Sequence, residues 1–324
     1  MKKRALILGV NGQDGSYLAD ILLEQGYEVH GLHRHSSCDN LWRIKHLEGK
    51  IALHRGDLLD RVSIDRAILA SKPDEIYNEA DQDNIDWSFK QPCATMDVTG
   101  TAVVNLLESA RELCPEARVF IPVSATIFGN APSPQTESTP LNPLSPYAVA
   151  KAAAYHAARF YRQVHGMFVA TAILYNHDSP RRGKGYLLHE LVDKALAVSR
   201  SQSRVIYVGD PNAVVDIGYA REYMEAAVKI LQQGKPDDFV LSSSHPFTIG
   251  SLAYTALAYL GFHSEDMVSV DPNYGRPGLP NTCPSQRITL VGNSGKAHQA
   301  FYFHPWMYAD ELLKSFLSGA LKCK

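Results

Sequence analysis

Residues 4–18 have the sequence RALILGVNGQDGSYL, in which a short apolar run is followed by three glycines spaced three apart. The apolar run is typical of a buried parallel strand that ends at a glycine turn. Residues 16–25 then carry apolar side chains at helical spacing, and residues 27–32 return to a strand pattern. A strand, a glycine turn, a helix and a second strand in this order predict the unit that binds a dinucleotide.

The glycines Gly9, Gly12 and Gly15 predict the pyrophosphate site, because glycine lets the backbone turn tightly and approach a charge that lies at a helix amino terminus. The end of the second predicted strand selects the cofactor. An acidic residue there binds the ribose 2′-hydroxyl of NAD, whereas arginine pairs with the 2′-phosphate of NADP. Arg34 follows that strand and the next acid is Asp39, so the sequence predicts NADP(H), with NAD(H) as the alternative. An ordinary glycine turn and a solvated basic loop are the structural alternatives.

Strand and helix patterns continue to alternate along the chain. Further short apolar runs predict strands at 51–53, 75–78, 119–123 and 169–175, and a helical pattern covers 99–113. This alternation predicts an α/β fold, a Rossmann-type doubly wound parallel sheet. We expect residues 1–175 to form the NADP-binding domain, which also receives elements from about 214–240.

Residues 176–324 are predicted to form mainly a smaller C-terminal substrate-binding lobe, because the regular alternation weakens there. Such a lobe closes over a substrate at the carboxyl ends of the strands.

The composition excludes several classes of protein. Lysine and arginine number 32 against 34 aspartate and glutamate, so the net charge of −2 argues against a partner that is nucleic acid or a membrane surface. No apolar run approaches the ~20 residues of a membrane span. The five cysteines form no paired motif, so we expect no disulfide framework, no metal site and a cytoplasmic location.

A second group of polar residues predicts the chemistry. Tyr147 and Lys151 are four apart in a helical pattern, so their side chains share one face. A nearby ammonium favours the phenolate, which predicts a lowered pKa for Tyr147 as an acid/base. Ser124 and Thr126 end a predicted strand and are candidates to hold a substrate hydroxyl or carbonyl. With a nicotinamide, these residues suit hydride transfer at an alcohol carbon, although a structural Tyr–Lys pair is the alternative.

These motifs resemble those of the extended short-chain dehydrogenase/reductases, the NAD-dependent epimerase/dehydratase family, and especially its GDP-mannose 4,6-dehydratases. Residues 9–18, 34–37, 56–58 and 145–151 carry the resemblance, and the most specific segment is YNHDSPRRG at 175–183. The resemblance implies a nucleotide-sugar substrate, tightly bound NADP(H) and a homodimer or homotetramer.

The resemblance also implies a set of site residues. Those assigned to the cofactor are Gly9, Asn11, Gly12, Gln13, Asp14, Gly15, Arg34, Ser36, Asp57, Leu58, Tyr147, Lys151, His177 and Arg182. Those assigned to the substrate are Gln82, Asn84, Asn176, Arg182 and Arg276.

One departure from the family pattern concerns the end of the strand before residue 124. The dehydratases have Thr-Ser-Glu there, and the resemblance assigns that glutamate the removal of the C5 proton and help in expelling the 6-hydroxyl. This chain has Ser124, Ala125 and Thr126, and threonine has no group that ionises near neutral pH. The triplet is similar to the strand end of the UDP-galactose 4-epimerases.

A second departure concerns residues 78–84, which have the sequence NEADQDN where the family has NLGAQSH. Glu79, Asp81 and Asp83 are therefore candidates for a relocated base, because burial raises the pKa of a carboxyl group. The alternative is that they are solvated or cap the next helix.

The sequence as a whole predicts an enzyme that modifies a nucleotide-linked sugar, a GDP-hexose, by reversible hydride transfer at C4. An epimerase-type outcome is favoured because Thr126 replaces the dehydratase glutamate. The alternatives are a GDP-mannose 4,6-dehydratase whose base is Glu79, Asp81 or Asp83, and a non-catalytic NADP-binding member of the family.

Overall fold

The computed structural model describes residues 2–37, 40–271 and 289–322. The strands are β1 (Arg4–Leu8), β2 (Glu28–His33), β3 (Ala52–Arg55), β4 (Glu75–Asn78), β5 (Arg118–Ser124), β6 (Val169–Leu174), β7 (Asn176–Asp178), β8 (Ile206–Val208), β9 (Val214–Tyr219), β10 (Asp238–Leu241), β11 (Pro246–Thr248) and β12 (Val268–Val270). The α-helices are α1 (Gln13–Glu24), α2 (Arg61–Ser71), α3 (Ile85–Lys90), α4 (Pro92–Thr95), α5 (Ala102–Leu113), α6 (Pro146–Val164), α7 (Leu187–Ser199), α8 (Ala220–Leu231), α9 (Ile249–Tyr259), α10 (Gly295–Phe301) and α11 (Ala309–Lys322).

The central sheet has seven parallel strands in the order β10-β6-β5-β4-β1-β2-β3. β1 pairs with β2 on one side and β4 on the other, so the strand order reverses at β1. Such a reversal opens a crevice beyond the carboxyl ends of the strands, where α/β proteins bind ligands. The predicted α/β, Rossmann-type parallel sheet is confirmed.

Helices cover both faces of the sheet because its central strands are apolar along their whole length. On one face, α1 and α8 pack together and bury Leu18, Leu22 and Met224 against the sheet. On the other face, α2, α5 and α6 bury side chains that include Ile64 and Leu106. The helix predicted at 99–113 is α5, which continues from a π-helical turn over Met96–Thr101.

Elements after residue 175 build a third apolar core, in which α7, α9 and α11 bury Leu191, Leu252 and Leu313. Two small sheets accompany it, one of β11, β9 and β7 and the other of β12 and β8. β10 and α8 pack instead with the central sheet, in the region assigned to it from the sequence. The division into two domains at residue 175 stays a prediction. Within the described ranges, no helix has the length and apolar character that crossing a membrane requires.

Candidate active site

A cavity of about 470 Å³ lies at the carboxyl ends of the central strands. It is lined by residues that follow β1, β4, β5 and β6, because parallel strands present all their carboxyl ends to the same edge of the sheet. The predicted site residues that it brings together are Gly12, Gln13, Asp14, Glu79, Asp81, Asp83, Ser124, Thr126, Tyr147, Lys151, Asn176, His177 and Arg182.

The glycine turn between β1 and α1 forms one wall of the cavity. Gly9 has a φ of +78°, and a Cβ atom there would lie 2.8 Å from the backbone of Ala80. A Cβ atom at Gly15 would lie 2.3 Å from the carbonyl oxygen of Gly9. Among the described residues, no side chain caps the first turn of α1 after Gly12, so its N–H groups are available to a ligand. This bare helix amino terminus, reached through a turn too tight for side chains, fits the diphosphate of a dinucleotide.

Asp14 and His177 form a buried pair beside this turn. His177 Nε2 lies 3.1 Å from Asp14 Oδ2, and its Nδ1 lies 2.8 Å from the carbonyl oxygen of Tyr175. Burial opposes the charge on the imidazole, but the Asp14 carboxylate outweighs that effect and raises the pKa of His177. Burial likewise opposes the Asp14 charge, and His177 outweighs it and lowers the pKa of Asp14. A charged His177, which donates from both ring nitrogens, satisfies both contacts.

Tyr147 and Lys151 lie on one face of α6, as their spacing predicts. Lys151 Nζ donates to the carbonyl oxygen of Pro122 at 3.0 Å and lies 5.9 Å from the centre of the Tyr147 ring. The same ammonium pairs with Asp81 Oδ2 at 2.7 Å.

The prediction of a lowered Tyr147 pKa is wrong. Burial, followed by the nearby Asp81 and Asp83 carboxylates, raises the pKa of Tyr147 well above its usual value, against smaller lowering effects of Ser124 and Arg182. The physical reasons are the burial of the phenol and the Asp81 carboxylate, which balances the Lys151 charge on which the prediction depended.

Ser124 and Thr126 lie where β5 ends, and both line the cavity with Tyr147. The Thr126 hydroxyl donates to Ser124 Oγ at 3.0 Å, and the Thr126 backbone N–H points to the same oxygen at 3.3 Å. Two hydroxyls therefore lie together beside Tyr147, and neither can replace a carboxylate as a base.

Two of the three carboxylates after β4 already have partners. Besides Lys151, Asp81 accepts from Thr99 Oγ1 at 2.5 Å and from its neighbouring backbone N–H. Asp83 pairs with Arg182 Nη2 at 3.0 Å and accepts from the Tyr186 hydroxyl at 3.1 Å. Asp81 is therefore not merely solvated, whereas the Asp83 side chain is 46% exposed. Neither caps the next helix, because Asn84 caps α3 by accepting from the Trp87 N–H.

Glu79 differs from the other two carboxylates. Its Oε1 is buried and has no hydrogen-bond partner among the described residues. Burial, followed by the Asp14 charge, raises the pKa of Glu79 well above its usual value, although Lys151 opposes this. Glu79 is therefore the carboxyl group of this segment that is still available for chemistry.

Other predicted site residues are not among those that line this cavity. Gln82 donates to Thr95 Oγ1 and to the carbonyl oxygen of Asn84, and so braces the segment before α3. Arg34 and Ser36 are exposed after β2. Gly9 and Gly15 shape the glycine turn, and Asn11 donates to the carbonyl oxygen of Asn40.

Three further residues were predicted to bind cofactor or substrate. Asp57 accepts from the Leu59 N–H, and Leu58 is buried. Arg276 lies outside the described residues.

The cavity residues that the sequence analysis missed include Arg43 and Tyr186. Arg43 donates to the carbonyl oxygens of Asn11 and Arg181, at 3.2 and 2.6 Å, and so joins the glycine turn to the segment after β7. Tyr186 lies against the Arg182 guanidinium, 3.7 Å from ring centre to Cζ. Neither belongs to a local motif, and only the folded chain places them here.

Known proteins are similar to this chain in sequence. Residues 6–316 match a family model described as GDP-mannose 4,6 dehydratase. The chain is similar to GDP-mannose 4,6 dehydratase 2 of Arabidopsis thaliana, with 36% identity over 333 residues that cover 99% of this chain and 87% of the relative.

Solved structures share the fold at lower sequence identity. The UDP-glucose 4-epimerase of Thermotoga maritima, solved with UDP-glucose, has a TM-score of 0.82 and 18% identity over 98% of this chain and 99% of its own. RMD from Pseudomonas aeruginosa, complexed with NADPH, has a TM-score of 0.80 and 19% identity over 99% of this chain and all of its own (100%).

Proposed function

This chain belongs to the GDP-mannose 4,6-dehydratase family, and we propose that it modifies a GDP-hexose by reversible hydride transfer at C4, with an epimerase-type outcome. The family resemblance seen in the motifs is confirmed, and with it an NAD(P)-dependent enzyme of nucleotide sugars. The epimerase-type outcome is supported by the residues at the end of β5. There the hydroxyls of Ser124 and Thr126 stand beside Tyr147 at the place where the dehydratase motif has a glutamate.

We assign the cofactor to the glycine wall of the cavity. Gly12 and the first turn of α1 would hold the diphosphate, and Arg34 after β2 would pair with a 2′-phosphate. When bound, NADP(H) supplies a hydride acceptor and donor. RMD, a structural neighbour that was solved with NADPH, supports this choice, with NAD(H) as the alternative.

In this proposal Tyr147 moves the proton of the reaction. In the oxidising direction its phenolate takes the proton of the 4-hydroxyl while C4 loses hydride and becomes a ketone. In the return direction its hydroxyl protonates the oxygen as C4 regains hydride on the opposite face. Ser124 and Thr126 hold the 4-oxygen in both directions. Proton transfer by a positioned side chain such as Tyr147 typically raises the rate by about 10²–10⁴-fold.

A 4,6-dehydratase is the second candidate, and the names of the relatives favour it. This reaction needs a base for the C5 proton and an acid for the departing 6-hydroxyl. Of the three carboxylates after β4, Glu79 has the buried oxygen that lacks a hydrogen-bond partner in the described part of the chain, so it would take this role.

The proposed function is tested by incubating the protein with NADP⁺ and GDP-mannose, then with a panel of GDP-, UDP-, CDP- and dTDP-hexoses, and weighing the products. We expect a product of unchanged mass with a GDP-hexose, separable from its substrate by chromatography. Loss of one water, abolished by Glu79→Gln, would support the dehydratase instead. No change with every donor would favour a non-catalytic role.

Thr126→Val is expected to lower kcat by roughly tenfold, because valine keeps the shape but loses one hydrogen bond to the 4-oxygen, a bond of about 1–1.5 kcal/mol. Steady-state rates on the sugar that the product assay identifies measure the effect. Thr255→Val, on α9, is the matched control and should leave kcat unchanged. Unaltered turnover in Thr126→Val would remove Thr126 from the mechanism.

Arg34→Ala is expected to weaken NADPH binding by roughly tenfold or more and NADH binding little. A charged hydrogen bond to phosphate contributes about 1.5–3 kcal/mol, and NADH lacks that phosphate. Fluorescence titration measures both dissociation constants. Arg66→Ala is the control, because Arg66 is also exposed but lies on α2. Equal loss for both cofactors would refute the NADP preference.

A further inference from the structure

We propose that Asp81 is a positioning residue that balances the Lys151 ammonium next to Tyr147, so that proton abstraction by Tyr147 is confined to alkaline solution. This inference rests on the proposed function, in which Tyr147 takes the proton of the 4-hydroxyl. Asp81 would thus affect catalysis although it is not one of the predicted catalytic residues Ser124, Tyr147 and Lys151.

The Asp81 carboxylate is fixed through both oxygens. Oδ2 lies 2.7 Å from Lys151 Nζ, while Oδ1 accepts from Thr99 Oγ1 at 2.5 Å and from the Gln82 N–H at 2.7 Å. Thr99 is buried, and the Lys151 and Asp81 side chains are only 9% and 16% exposed. The two opposite charges lie next to each other, so their effects on a neighbouring group largely cancel. Because the pair is mostly buried, water screens each charge only weakly.

Tyr147 is that neighbouring group. Charged or hydrogen-bonding groups face it from four elements: Asp81 and Asp83 after β4, Ser124 at the end of β5, Lys151 on its own helix α6, and Arg182 after β7. Arg182 is itself paired with Asp83 at 3.0 Å. Each cation of the group thus has a carboxylate partner, and the buried phenol meets little net positive charge. The raised pKa of Tyr147, caused first by burial and then by Asp81, agrees with this geometry.

Removing the Asp81 charge should lower the pKa of Tyr147. The Lys151 ammonium would then act on Tyr147 without a counter-charge, and an uncompensated cation within about 4–6 Å lowers an acid's pKa by roughly 1–3 units. More phenolate would be present at neutral pH, so oxidation at C4 would extend to lower pH. A purely structural Asp81, which only ties the loop to α6, would change stability and KM but not the pH profile.

The test compares Asp81→Asn, which retains an acceptor for Thr99, and Asp81→Ala with the unchanged protein. Tyrosines labelled with ¹³C at Cζ are titrated by NMR, and the Tyr147 signal is assigned from its loss in Tyr147→Phe. We expect Tyr147 in both variants to titrate at least about one pH unit lower, which gives about tenfold more phenolate near pH 7. The acid limb of the oxidation rate should move by the same amount.

Asp86→Asn is the matched control, because it removes an exposed carboxylate of α3 that is not among the cavity-lining residues. It should leave the Tyr147 titration unchanged. An unchanged Tyr147 titration in both Asp81 variants would overturn the inference, whatever their stability. If the NMR titration moves while no nucleotide sugar is converted by any variant, the role of Asp81 stands and the proposed function fails.

Discussion

Tyr147→Phe is expected to lower kcat by about 10²–10⁴-fold, the usual contribution of a placed acid/base. Phenylalanine keeps the buried ring of Tyr147 and removes only the hydroxyl. That hydroxyl is the group which exchanges a proton with the 4-oxygen. Since the diphosphate site is built by the glycine turn, NADPH affinity should change little.

Steady-state rates and an NADPH fluorescence titration on the same preparation separate these two effects. Tyr161→Phe is the matched control, because it lies on the same helix and its hydroxyl donates to Glu108 at 2.5 Å. This control should retain turnover. Residual activity within tenfold of the unchanged protein in Tyr147→Phe would contradict the assigned role.

Gly15→Ala is expected to abolish cofactor binding and to destabilise the fold. The added Cβ atom would lie 2.3 Å from the carbonyl oxygen of Gly9 and 2.8 Å from the Cα atom of Val10. Both are backbone atoms of the same tight turn, so neither can move aside without opening the turn. Overpacking of this kind costs about 1–3 kcal/mol or more, and the displaced N–H groups would no longer converge on a diphosphate.

Thermal unfolding and NADPH titration measure these two losses. Gly319→Ala is the control, because its Cβ atom would meet open space on α11, where alanine favours the helix by up to about 1 kcal/mol. This control should bind NADPH normally. A Gly15→Ala protein with an unchanged Tm and unchanged affinity would show that the turn tolerates a side chain.

Local patterns were sufficient to predict the fold. The apolar run before Gly9, the helical stripe after Gly15 and the alternation that follows depend on neighbouring residues, and they predicted the parallel sheet correctly. The same holds for Tyr147 and Lys151, since two residues that are four apart on one helix share a face.

Pairings between distant segments could not be predicted in the same way. Asp81 and Lys151 are 70 residues apart, and nothing in either segment indicates that they meet at 2.7 Å. The sequence predicted the wrong direction for the Tyr147 pKa because it showed neither the burial of the phenol, which is the larger cause, nor the Asp81 carboxylate beside it. Arg43 was missed for a similar reason, because only its contacts with the backbone of Asn11 and Arg181 place it in the cavity.

Running the reaction in ²H₂O and weighing the product distinguishes reversible hydride transfer at C4 from elimination. Hydride that leaves C4 and returns to it never exchanges with solvent, whereas dehydration removes the C5 proton and replaces it from solvent. We expect a GDP-hexose product with the mass of its substrate and no deuterium bound to carbon. A product that has lost one water and gained deuterium on carbon would contradict it.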